Sequence, residues 1–373
     1  MKELFPVAQN GGMMRGDLLE IVRHFAVQGK VLDIAPLGSG LINDTFRVKT
    51  DAADDYVLQR INHAIFTDVE LLQHNIDCAT AHIRKKLEAA GEADIDRKVL
   101  RYLPAIGSDK TYWTDGQNYW RVSVFIRDAY TYEAVNPHNA YCAGKAFGAF
   151  EAMLADLPDT LGETIPDFHN MELRARQLHE AVAADRAGRM AEPEVQAILA
   201  ELLPHEEEMC KAERLYREGK LPKRICHCDT KVNNMLFDAD GNILCVIDLD
   251  TLMPSFVFSD FGDFLRTAAN PVAEDDPQVD KVDFRMDIFE SFARGYLESA
   301  ASFLTEMEKE NLPYAACLFP YMQAVRFFTD YINGDTYYKI KYPEHNLVRT
   351  RNQLALFKAA SAKVPQMFGV WET

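Results

Sequence analysis

The stretch "ICHCDTKVNNMLFD" (Ile225–Asp238) places an acid, a lysine and two adjacent asparagines between apolar flanks. Such a cluster forms either a hydrogen-bonded turn or a loop whose side chains handle a hydroxyl and a metal, and its neighbours decide between the two. Apolar segments at Asn233–Phe237 and Ile243–Ile247, joined by the turn residues "DADG", predict two short strands. The second runs into "VIDLDT", which sets Asp248 and Asp250 at the end of an apolar strand. Two carboxylates emerging together repel each other unless a cation lies near them.

Farther out, the chain divides into a strand-rich front and a helix-rich back. "RGDLLEIVRHFAVQ" (Arg15–Gln28) spaces Leu18, Ile21, Val22 and Phe25 as a helix, with Asp17 as a plausible cap. Val31–Ala35, Thr45–Lys49 and Tyr56–Ile61 read as antiparallel strands, and Thr67 with Glu70 forms a capping box opening a helix to about Glu88. Between the first two strands, "PLGSGLIND" carries Gly38 and Gly40, which let the backbone approach a ligand. Because a strand pattern follows instead of a helix, this is neither a Rossmann turn nor a Walker loop, and a plain hairpin turn would also explain it. "YWRVSVFI" (Tyr119–Ile126) reads as a buried strand; helical patterns follow at His138–Leu157, Glu172–Gly188, Glu192–Glu218, Asp283–Ser299 and Tyr314–Ile332. This order predicts an α+β protein with residues 1–126 as a front lobe and 127–373 as a helical back lobe.

Composition narrows the partners. With 373 residues, 48% of them hydrophobic, the chain can fill two moderate cores. A formal charge of -17 opposes nucleic acid, which needs a basic surface, and "RKK" (Arg84–Lys86) is the longest basic run. The N-terminal "MKELFPVAQNGG" lacks the apolar core of a signal peptide, and no apolar run is long enough for a membrane span. Seven cysteines, of which Cys226 and Cys228 flank His227 without a second close pair for zinc, fit a reduced cytoplasmic setting. Oligomeric state is not legible.

Asp229 and Asn234 are five positions apart with His227 ahead, the H-x-D-x-x-x-x-N spacing of kinase catalytic loops. An aspartate can accept a hydroxyl proton as the oxygen attacks a γ-phosphorus, and an asparagine carbonyl offers a neutral ligand to Mg²⁺. Asp248 then falls where a kinase keeps its metal-binding acid. Lys231 could neutralise the transferring phosphoryl group or be a solvated loop lysine. Taken singly, Asp229–Asn234 could be an Asx-rich turn, and Asp248/Asp250 a helix cap or salt bridge. In this order, together with the glycine hairpin, they point to a phosphotransferase.

On these residues the chain resembles the aminoglycoside phosphotransferase and choline kinase superfamily, with its nearest likeness in the bacterial N-acetylhexosamine 1-kinases. "HCDTKVNNMLFD", "VIDLDTLMPSFVFSDFGDFLR" and "RFFTDYINGDTYYKIKYPEHNLVRTR" carry that likeness. It implies a protein-kinase-like bilobal fold with a small antiparallel-sheet N-lobe and a large helical C-lobe. It also implies ATP and Mg²⁺ as cofactors, and phosphorylation of the anomeric hydroxyl of an N-acetylhexosamine. Asp229 would be the base, with Asn234 and Asp248 holding magnesium. Gly38, Ser39, Gly40, Asn43, Gln59, Ile126 and Lys231 would meet the nucleotide, and Arg326 and Tyr337 the sugar. Two departures stand out: Leu41 occupies the histidine position of the family's G-x-G-H-I-N loop, and "YVLQRIN" has no ATP-binding lysine, leaving Gln59 or Arg60 to meet the phosphates. Alternative readings are a kinase for a cationic acceptor such as an aminoglycoside or choline, and a silent nucleotide-binding module. Arg326 could also be only a structural partner of Asp330, four residues on.

Overall fold

The computed structural model describes residues 15–38, 42–132 and 135–371. Helix α1 (Arg15–Val22) leads into strands β1 (Val31–Pro36), β2 (Asp44–Thr50) and β3 (Tyr56–Ile61). Helices α2 (Val69–Ala89) and α3 (Ile95–Lys98) come next, then β4 (Trp113–Thr114) and β5 (Tyr119–Val124). The strands form one antiparallel sheet in the order β1-β2-β3-β5-β4. Alternation puts Tyr56, Leu58, Trp120 and Val122 into a core with Leu18, Ile21, Val22 and Phe25 from the α1 segment. Gln59 and Arg121, which are register partners, therefore fall on the opposite face.

The larger part is helical. It holds α4 (Pro137–Leu154), α5 (Met171–Ala184), α6 (Pro193–Leu202), α7 (Glu206–Met209) and α8 (Lys211–Arg217). Short strands β6 (Arg224–Cys226), β7 (Met235–Phe237), β8 (Ile243–Val246) and β9 (Met253–Ser255) follow, pairing β6 with β9 and β7 with β8. The chain ends in α9 (Phe258–Ala268), α10 (Met286–Ala300), α11 (Glu306–Glu310), α12 (Leu312–Ile332) and α13 (His345–Phe368). The α+β, two-lobed expectation holds. Helix α2 bridges the parts: Leu72, Ile76 and Ile83 pack with Phe150 of α4 and with Leu249 and Leu252, on either side of Asp250.

Several local expectations change. Asp68, not Thr67, caps α2, accepting the Leu71 N–H at 2.9 Å. Asp17 lies within the first turn of α1, which ends at Val22 and not at Gln28. The pattern Glu192–Glu218 breaks into α6, a 3₁₀ turn over Leu203–His205, α7 and α8, because Pro204 cannot continue the hydrogen-bond ladder. Asn233 belongs to a 3₁₀ turn, Val232–Asn234, and not to β7. Helices α9 and α13 were not read from the sequence. In α9, Phe258, Phe261, Phe264 and Leu265 do keep helical spacing, and the opposite face, with Asp260, Asp263 and Arg266, is buried as well instead of facing solvent.

Candidate active site

Both loops of interest leave short strands and are tied together through the backbone. His227 is fully buried; its Nδ1 accepts the Asp229 backbone N–H at 3.2 Å, so Nε2–H donates to the Ile247 carbonyl at 2.8 Å. Thr251 Oγ1 donates to the His227 carbonyl at 2.7 Å, and the Ile247 N–H donates to the Asn234 carbonyl at 2.9 Å. The loop bearing Asp229 and Asn234 is thereby held against the segment bearing Asp248. From below, the Asp260 carboxylate of α9 accepts the N–H groups of His227 and Cys228 at 2.8 and 2.7 Å. Cys228 and Asp248 both adopt left-handed backbone, φ 62° and 61°, strained for side chains of their type and held by these bonds.

Asn234 Nδ2 donates to the Asp229 carbonyl at 2.8 Å and to Asp229 Oδ2 at 3.2 Å. Lys231 Nζ sits 2.5 Å from Asp229 Oδ1. Burial would lower the Lys231 ammonium, but Asp229, Asp263 and Asp248 outweigh it and hold it above its ordinary value. Asp248 is exposed, yet the surrounding protein strips bulk water from it. That desolvation, reinforced by Asp250 and Asp229, pushes its carboxyl up to about 6. The donor set fits a hard divalent cation. Asp248 makes no ion pair among the described residues, and Asn234, with Nδ2 committed to Asp229, turns its carbonyl oxygen the other way.

Asp250 behaves differently. Its Oδ1 lies 2.6 Å from Arg121 Nη2, its Oδ2 accepts from Asn43 Nδ2 at 2.5 Å, and Thr164 Oγ1 donates to its carbonyl at 3.0 Å. The salt-bridge reading thus holds for Asp250 and not for Asp248. Asn43 Oδ1 accepts the Asn62 N–H at 2.9 Å, so this side chain bridges the β2 entrance to the acidic segment.

A family model described as "Phosphotransferase enzyme family" matches residues 33–301, well over half of the chain. The chain belongs to the phosphotransferase enzyme family. Solved structures agree in fold at low identity. An aminoglycoside phosphotransferase from Alicyclobacillus acidocaldarius matches with TM-score 0.63 and 12% identity over 98% of this chain and 100% of that one. A choline kinase from Cryptosporidium parvum matches with TM-score 0.59 and 12% identity, covering 96% and 98%. An amicoumacin kinase, solved with AMP-PNP and Ca²⁺, gives 0.58 and 13%, covering 92% and 93%.

In this phosphotransferase, Gly38 holds φ 70° at the turn after β1, while Ser39, Gly40 and Leu41 lie outside the described residues. Ile126 is buried just beyond β5. Gln59 accepts from Arg121 Nε at 2.9 Å and donates to Thr45 Oγ1 at 3.2 Å; Arg60 is paired with Asp44. Neither β3 residue offers an unengaged cation. Arg326 does not pair with Asp330, which instead accepts the N–H groups of Thr336, Tyr337 and Tyr338 and the Asn346 amide. The Arg326 guanidinium lies 5.8 Å from the Phe168 ring centre and 5.7 Å from that of Tyr338, and donates to Gln323 at 3.3 Å. Tyr337 is 52% exposed, its ring edge-on to Tyr338.

His169 and Arg174 join this group without any signal in the sequence reading. His169 bonds Ser259 Oγ at 3.0 Å and lies within electrostatic reach of Arg326, Arg174 and Asp229. Burial first, then the arginines, hold its imidazole well below its ordinary range, hence neutral. Arg174 donates to the Asp167 and Phe168 carbonyls at 3.1 and 2.9 Å; burial and Arg326 bring it down to about 10. The residues sit on α5, its approach and α12, and only the fold makes them neighbours.

Proposed function

We propose that this phosphotransferase transfers the γ-phosphate of ATP to the anomeric hydroxyl of a neutral N-acetylhexosamine, giving the sugar 1-phosphate. The observation that carries the transfer is the convergence of Asp229, Lys231 and Asn234 beside Asp248. Asp229 takes the acceptor's proton as the oxygen attacks phosphorus, and Lys231 supplies positive charge at the point where negative charge develops. Asn234 and Asp248 are the residues that would hold Mg²⁺, which when bound offsets the charge of the β- and γ-phosphates. The loop from Gly38 to Asn43 covers the phosphates in this reading.

A neutral acceptor is favoured over choline or an aminoglycoside by the charge around Arg326. Arg326 and Arg174 lie close enough to lower one another's neighbours electrostatically, and a cationic acceptor would add a further like charge. Guanidinium donors suit hydroxyl and acetyl oxygens, while Phe168 and Tyr337 offer rings with apolar faces.

A panel of hexoses, N-acetylhexosamines, choline and aminoglycosides with Mg-ATP tests this, with ADP release as the rate and ³¹P NMR as the position of transfer. N-acetylhexosamines should turn over, with phosphate on the anomeric oxygen. Turnover of choline or an aminoglycoside alone rejects the sugar reading, and turnover of none rejects an active kinase for these acceptors. Arg326→Ala should raise KM for the sugar by about tenfold or more, the loss of a charge-assisted contact, and leave KM for ATP near its parent value.

A further inference from the structure

Protein-kinase-like sheets keep a lysine on the third strand, and here β3 has none, ending in Gln59, Arg60 and Ile61. The cation has not vanished from the sheet. Directly across the register on β5 stands Arg121, its side chain 2% exposed, on the same face as Gln59. Gln59 Oε1 accepts its Nε–H at 2.9 Å, and Nη2 lies 2.6 Å from Asp250 Oδ1. The Tyr102 ring covers the guanidinium at 5.3 Å. Nη1 has no hydrogen-bond partner among the described residues. Asp250, Asp248 and the α2 residue Asp77 all lie within its electrostatic reach.

A buried ion pair is weak evidence of stability, because desolvation offsets most of its attraction. This one has a second consequence. Asp250 is two residues beyond Asp248, and if unpaired it would stand beside the cation site as a competing carboxylate. With Arg121 engaged, Asp250 becomes an anchor, clamped also by Asn43 and Thr164, and Asp248 projects alone. The unmet Nη1 leaves part of the guanidinium's donor capacity open, while its charge is shared among Asp250, Asp248 and Asp77.

We infer that Arg121 is the positioning cation of the nucleotide half: from β5 it takes over the charge that β3 lacks, and through Asp250 it orients Asp248. This rests on the phosphotransfer reading above but not on the identity of the acceptor. The measurement is therefore calorimetric titration of Mg-ATP, and of ATP without metal, into the full chain with no acceptor present. Arg121→Met removes the charge at similar volume but strands Asp250, so it is studied together with Asp250→Asn in one double variant, beside Arg121→Lys. The double variant should keep the parent's melting temperature yet bind Mg-ATP about tenfold or more weakly, with a smaller change for metal-free ATP. In turnover, KM for ATP should rise while KM for the acceptor stays within about twofold.

Parent-like Mg-ATP affinity in a folded double variant overturns the inference and leaves Arg121 a purely structural ion. Should the double variant not fold, Arg121→Lys decides. Charge without the Gln59 bond should bind Mg-ATP within about threefold of the parent, and a loss of about tenfold overturns the assignment of charge. A parent protein that binds no Mg-ATP at all rejects the phosphotransfer reading itself, a result distinct from either of these.

Discussion

At the scale of single residues, the spacing of Asp229, Lys231 and Asn234 within one short loop was legible because a catalytic loop gathers its chemistry from consecutive chain. Their mutual bonds follow from that proximity. Asp229→Asn keeps the shape of the side chain and removes the proton acceptor, so kcat should fall by about 10²–10⁴ while Mg-ATP binding survives. Single-turnover rates beside a binding titration check this, and retention of most of kcat would remove Asp229 from the role of base. Arg121, His169 and Arg174 could not be found the same way. Each lies more than 50 residues from Asp229 in sequence, and each looks like an ordinary strand, loop or helix residue until the fold supplies its neighbours.

At the scale of elements, the close crossing of α4 and α10 sets the floor beneath the catalytic loop. A Cβ at Gly144 would stand 2.0 Å from the Phe292 carbonyl oxygen, and one at Gly295 would stand 2.1 Å from that of Tyr141. Backbone meets backbone there, so neither helix can yield by a rotamer change. Gly144→Ala should cost about 1–3 kcal/mol or more through forced separation of the helices. Gly16→Ala, in the first turn of α1 with nothing within 4 Å, should be neutral or stabilising by up to about 1 kcal/mol. Denaturant midpoints of both variants test the pair, and equal effects would contradict the close crossing. Helix caps show the limits of reading locally. Thr67 suited the start of α2 by its spacing to Glu70, yet Asp68 is the residue that caps it.

At the scale of the whole molecule, the brace beneath the active loop carries a pH dependence. Glu151 of α4 accepts from the Tyr296 hydroxyl of α10 and donates to Asp260 of α9. Burial, then the Asp260 charge, holds the Glu151 carboxyl well above its ordinary 4.5. The native state therefore keeps a proton that the unfolded chain releases above about 4.5, and stability is lost as pH rises from there toward the native pKa. Glu151→Gln preserves a neutral donor and should flatten that decline, by at most about 1.4 kcal/mol per pH unit, the value of one proton. Unfolding free energies of both proteins between pH 5 and 9 (about four units) measure the slopes, and identical slopes would rule out Glu151 as the retained proton. Cys226 lies beside these two acids, but a carboxylic acid already hydrogen-bonded to a carboxylate explains the cluster without a metal.

The amino-acid order by itself determined the succession of an antiparallel sheet and a helical body, four of that sheet's five strands, and the polar loop with its acid, lysine and asparagine. Those features are written in periodicity and spacing over a few residues, where chain connectivity enforces proximity. The sequence singled out Asp248 by its position, but tertiary structure alone decided that Asp250, two positions on, is anchored in a buried ion pair. The difference is made by Arg121 of β5 and Asn43 at the entrance to β2. Their contact with Asp250 exists only because the sheet closes over the helical body and excludes water from the carboxylate it covers.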